Sequence, residues 1–164
     1  MNTDTKEREF LKLVHDNQNI IHKVCFAYCS NQAARDDLYQ EITLQLWKSF
    51  DSFRGQSSFS TWMYRVALNT AINMVKKPNL FVDTTTTKEI YVDNSADSEL
   101  SEDIRLLRKA ISYLGKVEKA ITLLWLDEKS YDEIAEAVGI SAKNVSVKLV
   151  RTKKKLAAIM EKLQ

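Results

Sequence analysis

Apolar residues recur at intervals of three and four along most of this chain, and a few polar stretches interrupt them. Phe10, Leu11, Val14, Ile21, Val24, Phe26 and Tyr28 predict one helix over residues 8–29. The polar residues 30–32 end it. Leu38, Ile42 and Leu46, widened by Tyr39 and Trp47, predict a second helix over 33–50. Asp36 and Asp37 are then expected in its first turn, where carboxylates suit the positive end of the helix dipole. Residues 53–59 read as a loop. Gly55 permits the turn, and Ser57 or Ser58 can cap a third helix over 60–77, which Pro78 stops.

The pattern then lapses. Residues 78–104 hold four consecutive threonines and a polar, acidic run with no helical period, which predicts a flexible linker and a domain boundary. Periodicity resumes with Ile104, Leu107, Ala110, Ile111 and Leu114, and a strongly apolar run follows over 116–126. Ser130 and Glu133 have the spacing of a capping box. Gly139 can turn the chain, and Ser141 can cap a last helix running towards Leu163. The expected fold is all-α: two small helical domains, 1–77 and 105–164, joined by the linker 78–104. Three glycines and one proline in 164 residues agree, since a β-sandwich or barrel needs many tight turns.

Charge sharpens this division. Residues 1–77 carry 10 basic and 8 acidic side chains, 78–104 carry 1 and 7, and 105–164 carry 13 and 7. The basic C-terminal block points towards nucleic acid. Ala135, Gly139 and Val145 have the spacing of a helix-turn-helix, with Ile134, Val138, Ile140 and Val145 filling the angle between its helices. The last helix is expected to bury Val145, Leu149 and Leu156. Its outer face would then present Lys143, Asn144, Ser146, Lys148, Arg151, Lys154 and Lys155 to base edges and phosphates in a major groove.

A second constellation lies in residues 51–69. Phe53, Arg54, Gln56, Ser57, Ser58, Phe59, Trp62, Tyr64 and Asn69 interleave aromatics, an arginine and short polar groups over a few turns. Separated single strands need such a surface: rings to stack bases, cations for phosphate, small polar groups to read an exposed edge. Composition alone favours core positions for Trp62 and Tyr64. His22, Cys25 and Cys29 share a helical face, with His15 one heptad before. A single helix fans its ligands along its axis, so packing rather than metal binding is expected there.

The order of these motifs resembles an RNA polymerase sigma factor of the extracytoplasmic-function type. Residues 36–41, Asp-Asp-Leu-Tyr-Gln-Glu, look like that family's clamp-binding helix. Phe53, Arg54, Gly55, Phe59, Thr61, Trp62, Tyr64, Arg65, Ala67 and Asn69 look like its promoter-melting segment. Tyr131, Ile134, Ala135, Gly139, Ser141, Val145, Lys148, Arg151, Lys155 and Leu156 look like its domain-four reader. One departure is Lys143-Asn144-Val145, where many relatives have a Gly-Thr-Val type sequence.

The resemblance implies core bacterial RNA polymerase and promoter DNA as partners, and an anti-sigma factor as commonly found in the family. It implies core contacts through Asp37, Gln40 and Glu41, and recognition and melting of the −10 element by residues 53–69. The last helix would recognise the −35 element. No cofactor, catalytic residue or metal is implied. No nucleotide-binding or hydrolase motif occurs, and neither a signal peptide nor an apolar run of membrane-spanning length is found, so a cytoplasmic, non-enzymatic protein is expected. Read without the resemblance, a DNA-binding regulator acting without polymerase and a helical protein adaptor are the rival functions.

Overall fold

The computed structural model describes residues 2–76 and 101–164. The expected linker falls almost wholly on residues outside these. Among the described residues there are helices and no strands: α1 (Thr3–Asp16), α2 (Gln18–Tyr28), α3 (Gln32–Ser49), a 3-10 turn (Phe50–Ser52), α4 (Phe59–Lys76), α5 (Glu102–Ser112), α6 (Lys116–Leu126), α7 (Tyr131–Val138) and α8 (Ala142–Leu163).

Two local differences from the sequence reading have clear causes. The helix expected over 8–29 is two helices, because Asn17 leaves helical geometry at φ −117°, ψ 15°. Its side-chain Nδ2 donates to the Leu13 carbonyl at 2.8 Å, beside its own backbone N–H, which reaches the Leu13 and Val14 carbonyls at 3.2 Å each. The second helix starts at Gln32. Asn31 is its N-cap, accepting from the Ala34 N–H at 2.8 Å, so Asp36 and Asp37 lie beyond the first turn and are not dipole partners there.

The remaining punctuation follows the sequence. Ser58 Oγ accepts from the Thr61 N–H at the start of α4. Ser130 and Glu133 form the reciprocal capping box of α7. Gly139 ends α7 in the left-handed region at φ +83°, and Ser141 caps α8. Helix α5 begins at Glu102 with Ser101 as its cap, so its first turn takes in residues read as linker.

The N-terminal half buries Leu38, Ile42 and Leu46 of α3 against α2 and α4, with Ile21, Val24, Met63, Ala67 and Leu68 around them. Each Leu or Ile so placed contributes about 1.5–3 kcal/mol relative to exposure. In the C-terminal half, Ile111, Ile121, Leu124, Ile134, Val145 and Leu149 fill the space among α5–α8. Cys25 belongs to the first of these cores, and burial pushes its thiol up to about 12. His22 stacks on Tyr39 with ring centroids 5.0 Å apart. Of the three expected to pack, Cys25 lies in the core, Cys29 is half-buried and His22 is exposed.

The two halves also touch. Helix α4 packs on α7, and α2 packs on α5 and α6. Tyr28 Oη donates to the Lys116 carbonyl at 2.6 Å, and Lys23 pairs with Asp127 at 3.3 Å. Thr61 Oγ1 donates to Glu133 Oε2 at 2.9 Å, and Lys129 Nζ donates to Ser60 Oγ.

Candidate nucleic-acid interface

The loop before α4 owes its shape to one residue. Gly55 sits at φ +72°, where an L side chain is strained. The chain therefore reverses tightly and sets Phe53 beside Phe59 and Trp62. Their ring centroids are 5.6 Å (Phe53–Phe59), 5.3 Å (Phe53–Trp62) and 5.4 Å (Phe59–Trp62), with the two phenylalanines edge to face. All three rings are half-buried, so each keeps an open portion. Phe50, beneath them, lies 6.4 Å from Trp62.

Above this aromatic base lies a cavity of about 280 Å³. Phe53, Arg54, Gln56, Ser57, Trp62 and Asn69 line it, so the structure brings six of the nine predicted residues of this segment to one place. The other three are placed differently. Ser58 caps α4, and Phe59 supports the other rings. Tyr64 is fully buried, its hydroxyl against Asp127, and burial followed by that hydrogen bond raises its pKa.

Arg65, which the sequence placed only in the segment resembling the family's melting region, also lines the cavity, as does Val66, which it did not single out. The signal was present: Trp62, Arg65, Val66 and Asn69 follow the i, i+3, i+4, i+7 rule for one helical face. Glu136 lines it too, reaching across from α7, and no sequence pattern could have placed it there. The walls thus combine aromatic faces, two arginines, amide and hydroxyl groups and one carboxylate. That is chemistry suited to stacking a base and bonding its edge.

The helix-turn-helix forms from α7 and α8. Val145, Leu149 and Leu156 are buried beneath α8, as is Thr152, whose hydroxyl returns to the Lys148 carbonyl at 2.7 Å. Lys143, Asn144, Lys148, Arg151, Lys154 and Lys155 are exposed, and Ser146 is half-exposed. Not all of these cations are equally available. Lys155 pairs with Glu118 at 2.9 Å. Burial would raise the Glu118 pKa, but the Gly115 N–H, then Lys155 and Lys148, bring it below the ordinary carboxylate range. Lys153 lies 4.4 Å over the Trp125 ring.

On α3, Asp37 and Gln40 are exposed, opposite the buried Leu38, Ile42 and Leu46. Glu41 is half-buried and accepts from Gln45 Nε2 at 3.0 Å. These residues form a continuous polar strip.

The fold is that of an all-helical protein built on a helix-turn-helix, whose α7 also lines the aromatic, arginine-bearing cavity through Glu136. Comparison with known proteins narrows the class. Residues 13–79 match Sigma-70 region 2, and residues 104–156 match Sigma-70 region 4. The chain is 32% identical over 142 residues to the ECF RNA polymerase sigma-E factor of Escherichia coli (strain K12), covering 78% of this chain and 73% of that one. It is 28% identical over 161 residues to the ECF RNA polymerase sigma factor SigW of Bacillus subtilis (strain 168), covering 90% and 86%.

Two solved structures share the fold at 19% identity. The sigma factor RpoE from Bartonella quintana, in complex with the anti-sigma factor NepR, aligns with a TM-score of 0.70 over 94% of this chain and 96% of that one. CnrH in complex with the cytosolic domain of CnrY aligns with a TM-score of 0.65 over 94% and 89%. The chain belongs to the ECF RNA polymerase sigma factors. None of its described helices is long and apolar enough to cross a membrane.

Proposed function

We propose that this sigma factor divides its work among three surfaces and performs promoter opening without chemistry of its own. Residues 1–77 act as domain two, 105–164 as domain four, and 78–104 as the tether between them. The α3 strip of Asp37, Gln40 and Glu41 binds core RNA polymerase. Exposed Lys148, Arg151 and Asn144 on α8 read the duplex −35 element, with Lys154 holding phosphate.

The cavity over Phe53 and Trp62 captures a base flipped from the non-template strand of the −10 element. The observation that carries this reading is the convergence of Phe53, Arg54, Gln56, Ser57, Trp62 and Asn69 on one cavity. Extracting a base costs a few kcal/mol of stacking and pairing. Stacking on aromatic faces returns about 1–3 kcal/mol per base, and hydrogen bonds to the base edge add to it. Binding energy is therefore sufficient to hold the strand open once core polymerase has positioned it. The site of action is the cytoplasm. An anti-sigma protein is proposed as a further partner, in line with the partners of the two structural neighbours.

The test is a fluorescent base analogue at successive −10 positions in holoenzyme reconstituted with core polymerase. Asn69→Ala and Trp62→Ala should leave initial promoter binding in place and slow the fluorescence rise that reports unstacking. Unchanged opening rates in variants that fold and bind core would overturn the assignment.

A further inference from the structure

A second cavity, of about 330 Å³, opens between α2 and α3, away from the DNA-binding surfaces. Arg35 lines it. This arginine is only 3% exposed, yet its Nε, Nη1 and Nη2 have no hydrogen-bond partner. Its guanidinium lies 4.1 Å from the centroid of Phe26, and that of Arg108 lies 4.6 Å from the same ring. The ring contact supplies attraction but accepts none of the guanidinium protons in plane.

A buried charge with empty donors is costly, and mutational data place broken buried pairs among the most destabilising changes. The sequence had an inexpensive alternative, since an apolar side chain of similar length would fill the same volume. The carboxylate that lines the cavity, Asp36, does not resolve the deficit and accepts from Gln32 Nε2 at 2.8 Å.

We propose that this cavity is a carboxylate-binding site, in which an incoming monoanion takes up the in-plane donors of Arg35. A planar carboxylate matches the guanidinium fork, and the Phe26 and Tyr39 rings offer apolar flanks to the carbon chain behind it. Asp36 at the rim repels a dianion more than a monoanion, which selects against phosphate. The carboxylate is either a free small acid or the acidic side chain of a protein docked over α3, where Gln40 also lines the cavity.

The experiment titrates the full chain with sodium acetate, with sodium chloride at matched ionic strength as control and sodium phosphate for comparison. Acetate should raise Tm saturably in the wild type and should shift the Arg35 guanidinium resonance in NMR spectra. Arg35→Met should melt higher than the wild type without acetate and should ignore its addition. In a holoenzyme assembly assay, acetate that competes with core polymerase in the wild type but not in Arg35→Met identifies a partner's side chain as the source. Acetate that binds without affecting assembly identifies a free acid. If acetate and chloride act alike on Tm and on the Arg35 resonance, the proposal is overturned, whatever the polymerase assay gives.

Discussion

Tyr64 and Asp127 meet at 2.8 Å, Oη to Oδ2, across the boundary between the two halves of the chain. Tyr64 is fully buried, and Asp127 also holds Lys23 at 3.3 Å. A hydrogen bond to a charged group contributes about 1.5–3 kcal/mol to stability. Tyr64→Phe should lose about 1.5 kcal/mol, the low end, because Asp127 keeps Lys23 and some water. Chemical denaturation of the purified protein measures this. A change below about 0.5 kcal/mol would mean that the halves separate readily in solution.

Glu136 supplies the carboxylate in the Trp62 cavity, and a nucleic acid strand entering there must accept its charge or displace it. Glu136→Ala should therefore tighten binding of a single-stranded −10 oligonucleotide about fivefold, on the order of 1 kcal/mol for one charge in a solvated setting. Fluorescence anisotropy at two salt concentrations reads the effect, which should shrink as salt rises. Equal affinities at low salt would remove Glu136 from the site.

The lysines of α8 should behave unequally. Lys148→Ala, which removes a base-reading cation, should weaken binding of the preferred −35 sequence by about 1–3 kcal/mol. Arg151→Ala should cost about 1–3 kcal/mol on the preferred sequence and relax selectivity at one position. Lys155 begins engaged with Glu118, so Lys155→Ala should cost less than Lys148→Ala, and Glu118→Gln should steepen the salt dependence by freeing Lys155. Binding isotherms across a salt series test all four, and a Lys155 effect equal to that of Lys148 would contradict the pairing.

The pH response follows from Glu133 and Glu118. The Ser130 N–H, then the Thr61 hydroxyl, hold Glu133 below the ordinary carboxylate range. Glu118 is also lowered, its N–H and lysine partners outweighing burial. Both therefore bind protons less readily folded than unfolded. Their stabilisation is complete above the unfolded carboxylate pKa of about 4.3 and is lost as pH falls through the lowered folded values. Tm should drop over that acid window, and Glu133→Gln with Glu118→Gln should flatten the drop while lowering Tm at pH 7. An unchanged acid profile in the double variant would assign the drop to other groups.

Gly139 isolates backbone strain from packing. A Cβ built there meets nothing within 4 Å, yet the residue sits at φ +83°. Gly139→Ala should cost about 1–2 kcal/mol through the left-handed conformation alone. Gly139→Asn should recover part of the loss, since asparagine tolerates that region. Thermal melts of the two variants give the comparison.

Much of this architecture was legible because it is written in short-range chemistry. The Ser130–Glu133 box, the Gly139 turn and the Ser141 cap are each fixed within four residues, and each formed as read. The split at Asn17 escaped because Ile20, Ile21 and Val24 continue the apolar stripe across it, and the break is a change of backbone conformation at one residue, φ −117°, ψ 15°. Arg35 escaped for the opposite reason. An arginine early in a polar helical turn ordinarily faces water, whereas this one is buried with its guanidinium over the Phe26 ring, a tertiary contact. Phe53, Arg54, Gln56, Ser57, Trp62 and Asn69 were legible in composition, whereas the place of Glu136 in the same cavity depends on how α7 meets α4. Contacts between halves more than sixty residues apart leave no local mark in the sequence.

Ser60, Thr61 and Tyr64 hold α4 to the C-terminal half from the same two turns that present Trp62, Arg65 and Asn69 to the cavity. Under the proposed function, one short stretch of helix thus serves two ligands, the chain's own second half and a DNA strand. Thermodynamic linkage makes their relation reciprocal. If the strand prefers the parted arrangement by some factor, docking of the halves weakens the strand by that same factor. Any protein that stabilises the docked pair would then lower promoter affinity without touching a single DNA-binding residue.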